Sequence, residues 1–106
     1  MPKLALFEME AGMLEIMSVA AVLGQGDVVR LLVEQGADVN RTPDYLGYTP
    51  LILATACCSP TTVQFLIEHG ADLHSMSDDK MTPLRCAEKY GRSEIVALLK
   101  AAGASE

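Results

Sequence analysis

Residues 44–74 read DYLGYTPLILATACCSPTTVQFLIEHGADLH. Pro and Gly punctuate this stretch into a polar loop, a short helix opened by Thr49-Pro50, a turn, a second helix opened by Ser59-Pro60, and a stop at Gly70. Thr49 is suited to cap the first helix with Pro50 at N1, where a missing N–H costs nothing. The same unit recurs on both sides. Gly36-Ala37-Asp38-Val39-Asn40 precedes Gly70-Ala71-Asp72-Leu73-His74 by 34 residues, and Gly70-Ala71 precedes Gly103-Ala104 by 33. Thr49-Pro50-Leu51 precedes Thr82-Pro83-Leu84 by 33. A fixed period of this length, with one helix-turn-helix in each turn of the repeat, marks a stacked array. Each helix is too short to be stable alone in water, so stacking is what lets the unit fold.

The earlier unit keeps the helices but has Glu15-Ile16-Met17 in place of Thr-Pro-Leu. Its second helix, expected over 27–35, is apolar at Val28, Val29, Leu31, Leu32 and Val33, the pattern of a helix packed on both flanks with one wet stripe. Gly36 then ends it, because glycine enters the left-handed conformation without a Cβ penalty. In the last unit Lys100 stands where the earlier ones have Val33 and Ile67, a polar outer face of the kind a terminal repeat needs. Residues 1–13 match nothing downstream. Their apolar cluster, Leu4, Leu6, Phe7 and Met9, followed by Gly12, is compatible with a strand, a helical turn or a flap laid over the first unit.

Composition bounds the function. The chain has 106 residues, half of them hydrophobic, no Trp and a net charge of −6. Residues 1–40 carry two basic and six acidic side chains, and residues 77–106 carry five of each. No basic stripe suited to phosphate neutralisation is visible, so nucleic acid is not expected as a partner. Three cysteines, Cys57, Cys58 and Cys86, without paired spacing point to reduced thiols in a cytoplasmic or nuclear setting. The apolar run before Glu8 is too short for a signal peptide or a membrane span. Neither a C-x-x-C nor an H-x-x-x-H spacing accompanies His69 and His74, so neither a metal nor a cofactor is expected, and vicinal Cys57-Cys58 reads as a helix end. Ser18 and Ser59 lack a base motif and Asp78-Asp79 reads as a solvated turn, so no enzyme is expected.

Gly47-x-Thr49-Pro50-Leu51-x-Leu53-Ala54, followed by Val63-x-Phe65-Leu66-Ile67-x-x-Gly70-Ala71-Asp72, resembles the ankyrin repeat. The run from Val28 to Asn40 is similar to the family pattern for the second helix and hairpin. The resemblance implies an all-α solenoid with short β-hairpin tips, built from repeats at about 14–43, 44–76 and 77–106 behind an N-terminal segment of residues 1–13. Three departures stand out. The His of the Thr-Pro-Leu-His motif, which the resemblance implies would brace adjacent repeats, is Ser18, Ile52 and Arg85. The Gly-His between the helices is Gly24-Gln25, Cys58-Ser59 and Gly91-Arg92. The glycine of the loop before the last unit is Lys80. Lower stability than a consensus array follows, with looseness around Cys58 and Lys80.

The resemblance also implies a binding module whose concave surface is formed by hairpin tips and first helices. Position by position, that surface comprises Val22 and Leu23; Arg41, Thr42, Tyr45, Leu46, Tyr48 and Cys57; and Met76, Asp78, Asp79, Met81, Lys89 and Tyr90. All three tyrosines fall in this set, and Tyr and Met are enriched in interface cores. The expectation is a protein partner, with a mild preference for a basic surface, and no membrane. Alternatives are a homodimer through the same patch or the N-terminal segment, and an inhibitor or immunity-type blocker of an enzyme. Leu32-x5-Asp38-Val39-Asn40, with its counterpart ending at His74, is further similar to ankyrin hairpin sites that an asparaginyl hydroxylase modifies. The competing reading is that the Asn40 side chain satisfies hairpin backbone groups.

Overall fold

A computed structural model describes residues 17–40 and 47–104. Its helices are α1 over 17–22 within the described residues, α2 (Gly26–Glu34), α3 (Pro50–Cys57), α4 (Pro60–Glu68), α5 (Pro83–Lys89) and α6 (Ser93–Ala101). The architecture is an all-α solenoid. The inner helices α3 and α5 pack on each other, the outer helices run α2 on α4 on α6, and α3–α4 and α5–α6 are antiparallel pairs. No strand occurs among the described residues, and the tip before α5 is closed as a turn over residues 77–81.

The Thr-Pro starts act as the sequence suggests. The Thr49 hydroxyl accepts from the Ile52 N–H at 3.3 Å and the Thr82 hydroxyl from the Arg85 N–H at 3.1 Å, each satisfying one of the donors a helix N-terminus leaves free. Each outer helix closes on the same device. At α4 the Ala71 N–H reaches Leu66 O at 3.0 Å and the Gly70 N–H reaches Ile67 O at 3.1 Å, with Gly70 at φ +92°. This is the Schellman arrangement. Ala37 and Ala104 repeat it on Leu32 O and Leu99 O.

The turn between α3 and α4 departs from its neighbours for a steric reason. Gly24 and Gly91 occupy the left-handed region in the other two units, but Cys58 carries a Cβ and lies extended at φ −104°, ψ 172°. The rerouted turn buries Cys58, whose thiol donates to Ala21 O at 3.4 Å while its own carbonyl accepts from Arg92 Nη2. Where the sequence suggests looseness, this residue joins three successive units. Cys86 is likewise buried, as its place in the middle of a helix implies.

Packing between outer helices is close at one point. Gly26 opens α2 directly over the buried Thr62 of α4, where an added Cβ would lie 2.1 Å from Thr62 Oγ1. Nearby, the Arg30 guanidinium sits 5.0 Å from the Phe65 ring centroid, and the His69 ring stacks on Phe65 at 4.0 Å between centroids. In the last unit Lys100 is exposed.

Candidate functional site

The inner helices and the turn before α5 enclose a cleft of about 220 Å³. Ile52, Leu53 and Ala56 of α3 and Met81 and Cys86 of the next unit form its apolar floor; Tyr48, Cys57, Lys89 and Tyr90 complete its lining. These side chains converge because α3 and α5 run side by side, so that Ile52, Leu53, Ala56 and Cys57, three to four residues apart on one helix, face the same way. The volume lies below the roughly 300–1,000 Å³ of drug-sized ligand pockets. It suits one side chain of a larger partner.

Hydrogen bonds hold the tip end of the cleft. The Tyr48 hydroxyl donates to Asp79 Oδ2 at 2.6 Å, and the Ser77 hydroxyl donates to the other carboxylate oxygen. Ser77 in turn closes the loop, its N–H on Met81 O at 2.9 Å and its Oγ accepting from the Met81 N–H at 3.1 Å. The two hydroxyl donors, Ser77 first and Tyr48 second, hold the Asp79 carboxyl below its usual range, and the same bond to Asp79 pushes the Tyr48 phenol up. Lys80 takes φ +70°, the one described non-glycine residue with a positive φ, and its carbonyl accepts from Arg85 Nη1 at 2.9 Å. Arg85 thus braces its own repeat's turn from the position where the motif's His stands. At the other end of the cleft, Lys89 Nζ lies 5.6 Å from the Tyr90 ring centroid, and Tyr90 is 56% exposed.

Of the residues singled out from sequence, Tyr48, Cys57, Met81, Lys89 and Tyr90 line this one cleft. Met76 and Asp78 are exposed and outside its lining, and Asp79 is exposed but tied to Tyr48 and Ser77. Val22 and Leu23 lie apart, in a second, open and wholly apolar hollow of about 230 Å³ with Ser18 and Val19. Arg41, Thr42, Tyr45 and Leu46 fall outside the described residues. Tyr48 is half-buried, so of the described tyrosines Tyr90 alone stands out into solvent. Of the floor, sequence marks Met81 alone. Ile52 and Cys86 fill motif positions with apolar side chains, and their helical spacing from Ala56 and Tyr90 was the available signal.

Of the three cysteines only Cys57 is exposed; burial pushes the Cys58 and Cys86 thiols up. Among the described residues no set of three or more His, Cys, Asp or Glu side chains is placed to hold a metal ion. No described helix is long and apolar enough to cross a membrane.

The tips show what joins unit to unit on this face. Asn40 Nδ2 donates to Gly70 O at 3.0 Å, and Asn40 Oδ1 accepts from the Asp72 N–H at 2.7 Å. The Asp38 and Asp72 carboxylates accept from the N–H two residues on, at Asn40 and His74, and remain exposed. The Asn40 side chain therefore satisfies hairpin backbone groups.

A family model described as ankyrin repeats (3 copies) matches residues 16–105. The chain is similar to the 2-5A-dependent ribonuclease of Mus musculus, 40% identical over 68 residues that make up 62% of this chain and 9% of that protein. It is 35% identical over 80 residues to the DNA-binding protein RFXANK of Homo sapiens, covering 74% of this chain and 31% of that one. Ankyrin repeat and SAM domain-containing protein 6 of Rattus norvegicus matches at 36% over 80 residues, 76% of this chain and 8% of the relative. The chain thus spans less than a third of the length of each of these relatives.

Proposed function

The chain belongs to the ankyrin repeat family, whose repeats generally mediate protein–protein interaction, and on that premise we propose that it binds a protein partner through the cleft between α3 and α5. The observation that carries this reading is the cleft itself: an apolar floor of single-side-chain size, with an exposed Tyr90 at its lining. Large exposed apolar and aromatic side chains grouped around a concavity are the usual anchors of an interface. One apolar side chain of the partner enters between Tyr48 and Tyr90. Basic side chains flanking it face the exposed carboxylates of Asp38, Asp72 and Asp78 along the tips, in keeping with the net charge of −6.

The mechanism is occupation rather than chemistry. A stacked array holds the cleft in its binding shape beforehand, which keeps the entropy cost of association low. The reading places it in the cytoplasm or nucleus, acting on a protein partner without a cofactor. Affinity capture from lysate tests this with a Tyr90→Asp, Cys57→Arg double variant, both substitutions being at exposed positions. A protein retained by the natural chain and lost by the folded variant supports the reading. Equal capture by both overturns it.

A further inference from the structure

The three inner helices carry equivalent positions at a fixed spacing. Val22 and Leu23, at the end of α1, precede Ala56 and Cys57 of α3 by 34 residues, and these precede Lys89 and Tyr90 of α5 by 33. The outer helices stack in the order α2, α4, α6, and α3 packs on α5. Helix α1 sits against α3 from the preceding unit: the Cys58 thiol donates to Ala21 O at 3.4 Å, and a Cβ added at Gly24 would lie 3.0 Å from Cys57 O. Equivalent positions of stacked units project the same way, so the hollow at Val22 and Leu23 and the α3/α5 cleft open in one row on one face. Over the first two units that row is apolar. Val22 is 51% and Leu23 67% exposed, and Ser18, the polar residue in the lining of their hollow, has its hydroxyl buried. Exposed carboxylates stand at the tips of these two units, at Asp38 and Asp72. Cations gather at the last unit instead, where Lys89 lies over Tyr90 and Arg85 holds the Lys80 carbonyl.

We infer that the partner presents a single amphipathic helix laid across the inner helices, with one apolar side chain in the α3/α5 cleft, a second over Val22 and Leu23, and Lys or Arg on the flank that meets Asp38 and Asp72. The inference rests on the cleft being the binding site and adds the α1 hollow as its second half. Packed helices lie about 8–10 Å apart. From α1 to the midpoint between α3 and α5 is one and a half such intervals, about 12–15 Å. A helix rising 1.5 Å per residue covers about 12 Å in eight residues. Apolar side chains at i and i+7 or i+8 share one face, and their own length covers the remainder. An extended segment would instead lay its main-chain N–H and C=O groups on Val, Leu and Ala side chains that offer them no partner, and such groups are costly to bury unpaired. A helix brings its own hydrogen bonds.

Fluorescein-labelled alanine-based helical peptides are the probe, with two leucines eight residues apart and lysines along one flank, and their binding to the chain is followed by anisotropy. Comparison peptides carry one leucine, both leucines with a proline midway between them, or glutamate in place of lysine. The two-leucine helix is expected to bind about tenfold or more tighter than the one-leucine helix. The proline and glutamate forms should fall to the one-leucine level or below, and Leu23→Asp in the chain should abolish the advantage of the second leucine. Leu23 is exposed, so the substitution spares the core; if that variant fails to fold, Leu23→Ala takes its place. Equal binding of the one- and two-leucine helices, an advantage that survives Leu23→Asp, undiminished binding of the proline or glutamate form, or no saturable binding up to millimolar peptide would overturn the inference. Tyr90→Asp separates it from the reading it rests on. If Tyr90→Asp weakens the one-leucine helix while Leu23→Asp changes nothing, the cleft stands as the site and the two-anchor helix falls. If Tyr90→Asp also changes nothing, the α3/α5 reading falls with it.

Discussion

The backbone N–H of Asp72 donates to Asn40 Oδ1 at 2.7 Å across 32 residues of sequence. With the 3.0 Å bond from Asn40 Nδ2 to Gly70 O, one side chain meets both a donor and an acceptor of the next unit's turn. This single amide fixes the spacing of two tips. Each tip in turn presents an aspartate to solvent, so register and binding surface depend on the same residue.

Asn40→Ala removes both bonds and leaves two backbone groups to water, since this tip is exposed. A loss of about 1–3 kcal/mol follows, from two bonds each contributing roughly 0.5–1.5 kcal/mol. Asn40→Asp keeps the acceptor and loses the donor, so it should fall between the natural chain and the alanine variant. Urea unfolding of the three proteins checks the order.

Gly26→Ala should destabilise the stack because its Cβ would lie 2.1 Å from Thr62 Oγ1, and Thr cannot swing aside freely. Forcing a methyl group into packed surroundings costs about 1–3 kcal/mol. Thr62→Ala removes the offending oxygen, so the double variant should recover part of the loss. Thermal unfolding of both variants measures it.

Lys80→Gly should stabilise. Lys80 holds φ +70°, and left-handed backbone costs a Cβ-bearing residue roughly 1–2 kcal/mol, partly offset by the greater freedom glycine has when unfolded. The Ser77 O bond to the residue-80 N–H and the Arg85 bond to its carbonyl are both to main chain and persist. A net gain of about 0.5–1 kcal/mol is expected. An unchanged or lower urea midpoint would mean that the loop does not hold this conformation.

The Tyr48–Asp79 bond should make the cleft sensitive at both extremes of pH. Asp79 is lowered when folded, so its contribution is present above the ordinary carboxylate value near 3.9 and is lost as pH falls through the lower folded value. Tyr48 is raised, so its contribution is present below about 10 and is lost as pH rises through the higher folded value. Asp79→Asn should bring the Tyr48 titration down towards the ordinary phenol value. Ultraviolet titration in a Tyr45→Phe, Tyr90→Phe background isolates it.

Much of the fold was legible because its signals are local. Thr49-Pro50, Thr82-Pro83 and the three Gly-Ala pairs act through their own backbone, and the structure shows the caps and Schellman closures they imply. Legibility fell where a residue's role depends on another unit. Cys58 substitutes for a glycine and looks like a weak point in sequence, yet Ala21 and Arg92, 37 and 34 residues away, hold it from both sides. Lys80, which also replaces a glycine, looks loose in sequence and is braced within its own unit by Arg85 five residues on. At the candidate site, sequence marked the rim residues Cys57, Lys89 and Tyr90 but not the floor of Ile52 and Cys86. Tyr48 looks in sequence like the other tyrosines of the concave set, because nothing local announces a bond to Asp79, 31 residues ahead.

The exposed thiol of Cys57 gives the most direct test of binding at the α3/α5 cleft, because Cys58 and Cys86 are buried and the one reactive sulfur lies in the lining of the site. The partner recovered by capture is returned to the purified chain, and the rate of Cys57 alkylation is measured with and without it. Binding in the cleft predicts that saturating partner slows labelling by an order of magnitude or more, and that prior alkylation weakens binding. An alkylation rate that the bound partner leaves unchanged would place the interface elsewhere and contradict the proposed function.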